Sequence, residues 1–213
     1  MPKIAGRMVV LCCLGSWAAW ANEPVIGGPC EGCEAVFVDL PPDLKSAARI
    51  APTTEPGQPL VLEGTVRKAS GAPVGGIIVY AYHTNAGGIY PNAATAHGSL
   101  RAWVRTDGEG SYRFDTIRPG AYPGRRIPEH IHVHVIEPGR ATYFIDEVTF
   151  ADDPLLKAED RRRVGSSRGG VGLATPTKDS EGRWRVRREI ILGEAIPGYD
   201  GIPPPYALKN DER

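Results

Sequence analysis

The feature that most constrains the fold is the run 129–137, in which His130, His132 and His134 alternate with apolar residues. Side chains alternate across a β-strand with period two, so the three histidines are predicted to project from one face of a strand. On that face, two or three imidazoles can converge on one point. Histidines at this spacing can equally line the solvated face of an antiparallel sheet. The run therefore predicts a β-strand that carries either metal ligands or surface histidines.

Other short apolar or alternating runs are separated by turns, and the chain of 213 residues contains 26 glycines and 20 prolines. This composition, with 41% hydrophobic residues, favours a turn-rich β protein with one core over a helical protein. We expect a single all-β domain, a β-sandwich with few helices. The predicted strands are 60–68, 76–83, 99–106, 111–117, 129–137, 142–150 and 183–192, and the predicted helix is 155–163.

A tyrosine, Tyr122, lies shortly before the histidine run. Imidazole is a suitable ligand for zinc, copper, iron and nickel, whereas a deprotonated phenol is a hard, anionic oxygen donor. A free phenol has a pKa of about 10 and needs a highly charged cation to ionise at neutral pH. Tyrosine together with histidine therefore favours ferric iron.

Five segments follow one another in a distinctive order, and together they resemble the intradiol ring-cleavage dioxygenases. The segments are NAGGIY at 85–90, TDGEGSYRF at 106–114, TIRPGAYP at 116–123, HIHVH at 130–134 and FADDPL at 150–155. The resemblance covers about residues 60–156. Members of this family are non-haem Fe(III) enzymes that open catechols between the two hydroxyls, and protocatechuate and catechol dioxygenases are the familiar examples.

The resemblance implies a β-sandwich core and a ferric ion held by Tyr90, Tyr122, His130 and His132. Within this set, Tyr90 and Tyr122 are also the implied catalytic residues, and Tyr122 is the axial ligand that the substrate displaces. The implied substrates are a small-molecule catechol and O2, and the implied product is a muconate-type diacid.

The chain departs from the family pattern at several positions. Where the family usually has an arginine, three residues before the first histidine ligand, this chain has Ile127, with Arg125 and Arg126 as neighbouring candidates. A glutamine of the family corresponds to Glu147. The additional His134 is expected to lie outside the ligand set or in solvent. His83 and His97 are expected at the surface.

Two alternatives remain open. The turns TDG, GSY and PG are similar to those of transthyretin-like and carboxypeptidase-regulatory-like domains, which would make the chain a non-catalytic binding module with Tyr90 and Tyr122 at the core edge. Alternatively, His130, His132 and His134 form a zinc or copper site without tyrosine.

The N-terminal residues 1–21 have the pattern of a signal peptide: Lys3 and Arg7, then an apolar stretch, then Ala-Trp-Ala before Asn22. The apolar stretch is shorter than the roughly 20 residues that a membrane span needs. We therefore expect an exported protein, periplasmic or extracellular, without stable membrane insertion. The remaining chain is divided into an arm at 22–59, the catalytic β-sandwich domain at 60–196 and a tail at 197–213.

The arm contains Cys30 and Cys33. A zinc site would normally need a second pair of cysteines, so a local disulfide is the simplest interpretation in an exported chain.

Charge is balanced, with 25 basic and 25 acidic residues, which gives no electrostatic footprint for nucleic acid. The oligomeric state is left open.

Overall fold

The computed structural model describes residues 24–30, 32–92, 95–159, 161 and 167–202. These residues form eleven strands and two short 3-10 helices. The strands are β1 (Ala47–Arg49), β2 (Pro59–Arg67), β3 (Ile78–Tyr82), β4 (Arg101–Arg105), β5 (Ser111–Ile117), β6 (His130–Glu137), β7 (Ala141–Phe150), β8 (Leu173–Ala174), β9 (Thr177–Lys178), β10 (Trp184–Arg187) and β11 (Ile190–Ile191), and the helices are Cys33–Phe37 and Tyr199–Gly201.

The strands form two sheets. The five-stranded sheet has the order β4-β3-β6-β7-β8, and the six-stranded sheet has the order β1-β5-β2-β10-β9, with β11 paired to β2. The histidine strand β6 lies at the centre of the five-stranded sheet, between the antiparallel neighbours β3 and β7. In this register Tyr82 is opposite His132, and Tyr80 is opposite His134.

The main core lies between the two sheets, which is the predicted β-sandwich. On β6 the apolar residues of the alternating run point into it: Ile131, Val133 and Val135 are all essentially inaccessible to solvent. From the six-stranded sheet, Leu62 and Phe114 contribute to the same core. The alternation of histidine and apolar residues therefore predicts correctly which face of β6 is buried between the sheets.

A second apolar cluster covers the outer face of the five-stranded sheet. It contains Tyr80, Tyr82 and Trp103 from the sheet and Val36 from the N-terminal arm. The Trp103 indole donates a hydrogen bond of 2.7 Å to the Val36 carbonyl oxygen. Because the arm folds over this face, the five-stranded sheet is buried on both sides.

The predicted long strands are present, and the differences concern short or irregular segments. The predicted strand 183–192 is divided into β10 and β11, where the buried Arg188 donates to the Glu189 and Arg168 carbonyls. No α-helix is formed over the described part of the predicted helix 155–163: residues 154–155 and 158–159 form turns, and Arg161 alone has a 3-10 conformation, with its amide donating to the Lys157 carbonyl at 3.2 Å. Here the Asp153 carboxylate accepts from the Leu155 amide at 2.7 Å, which favours a turn.

The predicted signal peptide lies outside the described residues, as does most of the predicted tail. Within the predicted arm, β1 pairs with β5 and so joins the six-stranded sheet. In the part of the chain that the structure describes, no helix is both long and apolar enough to cross a membrane.

Candidate metal centre

Four predicted ligands come together at one end of the five-stranded sheet. Tyr90 lies in the loop after β3, Tyr122 in the segment between β5 and β6, and His130 and His132 on β6. The two phenol oxygens are 2.6 Å apart. Tyr122 Oη is 3.5 Å from His132 Nε2, which is 3.1 Å from His130 Nε2. Two oxygen and two nitrogen donors thus form a connected group.

The His130 ring is held by a backbone contact. Its Nδ1 lies 2.7 Å from the Pro128 carbonyl oxygen, which can only accept a hydrogen bond. In the neutral ring, Nδ1 therefore carries the proton and Nε2 presents a lone pair towards His132 Nε2. A lone pair directed at another ring nitrogen is an arrangement that suits a cation between the two rings.

The position of His132 is set by an irregularity in the sheet. The register between β6 and β7 shifts between Ile131 and Val133, so that Asp146 and Glu147 together stand opposite His132. Such a bulge re-aims side chains next to functional sites. It brings Glu147 Oε1 to 3.7 Å from His132 Nδ1.

The His132 ring also stacks on Tyr82, with ring centroids 4.5 Å apart. Burial, reinforced by the neighbouring imidazoles, lowers the pKa of His132 to about 3. The ring is therefore neutral at pH 7, which is the form that binds metals.

Glycines allow the two tyrosine segments to approach each other closely. Gly88 has φ 77°, and a Cβ added there would lie 2.0 Å from the Ala121 carbonyl oxygen. A Cβ on Gly120 would lie 2.4 Å from the Ala86 carbonyl oxygen. The Gly120 amide donates to the Asn85 carbonyl at 2.9 Å. The motifs NAGG and PGAY therefore pack backbone against backbone, which fixes Tyr90 relative to Tyr122.

Charged residues anchor the start of β6. Arg118 donates to Glu129 at 2.7 Å and to both oxygens of Asp152 at 2.8 Å. The buried Asp153 accepts from the Glu129 amide at 2.6 Å. Asp152 and Asp153 of the segment FADDPL thus fix Arg118 and Glu129, and Glu129 directly precedes the first histidine. The motif therefore positions the start of β6.

The donor set fits ferric iron. Burial is the main cause that raises the pKa of Tyr90 far above its ordinary value, and the Tyr122 hydroxyl adds to it. A phenol in this environment ionises when a strongly charged cation binds to it. Two phenol oxygens and two imidazole nitrogens match a hard, trivalent ion better than zinc or copper(I), which prefer softer or purely nitrogen ligands.

The surface positions expected for His83 and His97 are wrong, and His134 lies outside the proposed ligand set but is buried rather than in solvent. His83 and His97 are 0% and 1% exposed, and His134 is 3% exposed. His83 links the sheets, because Nδ1 lies 2.6 Å from the Thr84 carbonyl and Nε2 2.7 Å from Thr116 Oγ1. His83 is therefore buried between the sheets, whereas His97 and His134 lie with Tyr80 and Tyr82 on the outer face that the arm covers.

The alternative site of three histidines without tyrosine is not formed. Among the described residues, His134 lies instead beside Cys30 and Cys33: one potential ligand atom of each of the three residues lies within 4.8 Å of the other two. The two cysteines are joined in the predicted local disulfide, so their sulfurs are not available as ligands in this state.

Neither candidate for the missing arginine reaches the site. Arg125 and Arg126 are exposed, and Ile127 is 38% exposed. Two cavities flank the donor set. One, of about 350 Å³, is lined by Tyr90, Tyr122 and His132 together with the disulfide arm. The other, of about 550 Å³, is lined by His130, Ile127, Leu156 and Arg168, and Glu147 borders both cavities.

Sequence reasoning missed the aromatic residues behind the ligands. Tyr82 is sandwiched between His132 and His97, and its ring centroid is 3.8 Å from that of His97. Tyr80 donates to or accepts from His97 Nδ1 at 2.9 Å. The alternation of tyrosine with smaller residues along β3, opposite the histidine strand, is the signal that could have predicted this layer.

The comparisons with known proteins agree with this geometry. The profile of the family described as Dioxygenase matches residues 34–180, more than half of the chain. The chain is 33% identical over 114 residues to the protocatechuate 3,4-dioxygenase beta chain of Burkholderia cepacia (47% of this chain, 48% of that protein). It is 39% identical over 121 residues to catechol 1,2-dioxygenase 1 of Acinetobacter lwoffii (48% of this chain, 39% of that protein). These matches span less than half the length of each relative.

A solved structure shares the fold. The dioxygenase domain of a dioxygenase and carbohydrate-binding protein fusion from Streptomyces sp. SirexAA-E superposes with a TM-score of 0.55 at 24% identity, covering 72% of this chain and 91% of that one. This likeness concerns the fold, whereas the family is shown by the profile match over more than half of the chain. The chain belongs to the intradiol dioxygenase family.

Proposed function

We propose that this protein is a non-haem Fe(III) dioxygenase that cleaves a catechol ring between its two hydroxyls with O2, giving a muconate-type diacid. The observation that carries the proposal is the convergence of Tyr90, Tyr122, His130 and His132 in one connected group of donor atoms. The family supports the same reaction class. A bound ferric ion would act there as a Lewis acid and as a template for the catechol oxygens.

The phenol pair provides the acid–base chemistry of the site. Tyr90 and Tyr122 lie 2.6 Å apart, so a proton on one oxygen can pass to the other without rearrangement of the backbone. When a catechol enters, its two hydroxyl protons need acceptors. Tyr122, which the family resemblance identifies as the ligand displaced by substrate, would accept one of them; its ring lies beside His130, with centroids 5.2 Å apart.

The histidines provide rigidity. His130 is fixed by the Pro128 carbonyl, and His132 is fixed by the stack on Tyr82. Holding the ligand atoms in place before the substrate arrives lowers the reorganisation required during the reaction. Two tyrosinates would be the charged protein ligands of a bound ferric ion.

We place the substrate ring in the larger cavity, beside His130. Its volume of about 550 Å³ is within the range of small-molecule sites, and Ile127, Leu156 and Leu173 give it apolar walls for a planar ring. Asp146, Glu147 and Arg168 also line this cavity, so both signs of charge are present at its walls. We also propose that the protein is exported, on the basis of residues 1–21; N-terminal sequencing of the protein recovered outside the cytoplasm tests this.

Two substitutions test the proposed reaction. Tyr122→Phe should retain iron but bind catechols abnormally and turn over at least about 100-fold more slowly, because a proton acceptor and an anionic ligand are both lost. His132→Ala should lose most of the iron. Iron content, visible absorbance and muconate formation are measured for each variant.

The matched control is Tyr112→Phe, which removes a buried phenol hydroxyl that donates to the Arg188 carbonyl, far from the site. This variant should keep both iron and turnover. Normal turnover in both Tyr122→Phe and His132→Ala would refute the proposed function.

A further inference from the structure

His134 is a buried histidine that the proposed dioxygenase site does not use. It is 3% exposed, and its Nδ1 has no hydrogen-bond partner among the described residues. It projects from the same face of β6 as His132 but lies one step further along the strand, opposite Tyr80. Buried polar atoms are normally satisfied, so this ring has a nitrogen that the surrounding side chains leave unused.

Two cysteines of the N-terminal arm lie close to His134. Cys30 and Cys33 form a disulfide, and their Cα atoms are 5.6 Å apart. The turn between them contains Gly32 at φ 74°, and the 3-10 helix Cys33–Phe37 follows it. The arm is fixed over the sheet by the Trp103 bond to the Val36 carbonyl. Val36 is three residues after Cys33, so this contact holds the arm against the sheet independently of the disulfide.

One ligand atom from each of Cys30, Cys33 and His134 lies within 4.8 Å of the other two. We propose that these three residues form a second metal site, which is closed by the disulfide and opened by its reduction. A dithiol donates two electrons and two protons to the disulfide and becomes a disulfide itself, leaving two cysteine thiols. The metal then binds the two sulfurs as thiolates and releases both thiol protons.

The donor set indicates which metal binds. Two thiolates at Cys-x-x-Cys spacing with one imidazole suit Zn2+, which also accepts a water or another ligand at a fourth position. Cys30 and His134 both line the cavity of about 350 Å³, so the fourth position faces open space. The phenol oxygens of the proposed iron site would be poor partners for this softer set, so the two sites select different metals.

This inference is independent of the proposed dioxygenase reaction, and metal counting tests it. The full mature protein, with its iron content measured, is reduced anaerobically with a phosphine, desalted and titrated with Zn2+ or with Co2+ as a coloured probe. The reduced protein should bind about one equivalent more than the oxidised protein, and Co2+ should give an intense thiolate absorption. The zinc uptake of the oxidised protein measures any binding at the iron site and is subtracted from that of the reduced protein.

Variants locate the additional metal. Cys30→Ser and His134→Gln should each weaken the extra binding by about 100-fold or more, while iron binding is retained in Cys30→Ser. Tyr112→Phe serves as the control and should bind the extra equivalent normally. Equal uptake by the reduced and oxidised proteins, or extra uptake that persists in both Cys30→Ser and His134→Gln, would overturn the proposal.

Discussion

The two sheets of the sandwich use the same alternating pattern for different purposes. In the six-stranded sheet, one face packs in the core and the other carries charged pairs, such as Arg113 with Asp115 at 2.6 Å and Arg185 with Glu63 at 2.5 Å. In the five-stranded sheet, the outer face carries tyrosines and histidines and is covered by the arm. The difference shows that a sheet buried on both faces can enclose polar rings at a site, whereas a half-exposed sheet serves as support.

The largest expected effect on stability comes from the supporting sheet. Phe114 is fully buried in the main core and pairs with Leu62 across β5 and β2. Phe114→Ala should lower the free energy of unfolding by about 3–5 kcal/mol, measured by urea denaturation. The protein that remains folded should bind iron with the same stoichiometry as the wild type. Loss of the iron site in folded Phe114→Ala protein would mean that the two sheets do not divide these roles.

The link between the sheets should be sensitive to acid. Burial is the main cause that lowers the pKa of His83 to about 4, whereas an unfolded histidine titrates near 6.5. The unfolded chain therefore binds this proton first, and stability that is present above pH 6.5 is lost as the pH falls towards 4. The loss from His83 is roughly 3 kcal/mol. His83→Gln should reduce this pH dependence in denaturation curves measured from pH 7.5 to 4; an unchanged slope would contradict the assignment.

A smaller effect, confined to the site, is expected from one glycine. Gly88→Ala would drive a Cβ against the Ala121 carbonyl and separate the two tyrosine segments. We expect iron affinity to fall by about tenfold or more. Gly124 is the matched control, because its φ of 71° is similar but nothing lies within 4 Å of an added Cβ. Gly124→Ala should cost only about 1 kcal/mol of backbone strain and leave iron affinity intact. Equal iron affinity in the two variants would show that this backbone contact does not set the tyrosine geometry.

The smallest effect is expected on the solvent face of the six-stranded sheet. Arg185 and Glu63 are each partly exposed, at 32% and 21% for their side chains. Ion pairs at such positions contribute less than about 1 kcal/mol. Arg185→Ala should therefore change the unfolding free energy only slightly in denaturant melts. A loss comparable to that of Phe114→Ala would show that this charged face is more than a solvated surface.

The sequence predicts the sandwich, the long strands and the residues that the structure brings together as the candidate site. These features follow from local patterns, namely period-two alternation and turn residues. Other features depend on long-range packing and do not follow from local patterns. They are the turns that replace the helix predicted for 155–163, the burial of His83, His97 and His134, and the bulge beside His132. In particular, the arm at residues 24–37 covers a sheet face that alternation alone would leave exposed to solvent. Strands β8 and β9 have only two residues each, which is too short for a sequence pattern, and they form only because they pair with neighbouring strands.

The most direct test of the proposed iron site is the visible spectrum of the mature protein, recorded together with its iron content. For the proposed iron site we expect about one iron per chain and a broad charge-transfer band from tyrosinate to Fe(III). Addition of catechol in air should shift this band and then produce a muconate. A colourless protein that takes up no iron after ferric reconstitution would contradict the account and favour a non-catalytic binding module.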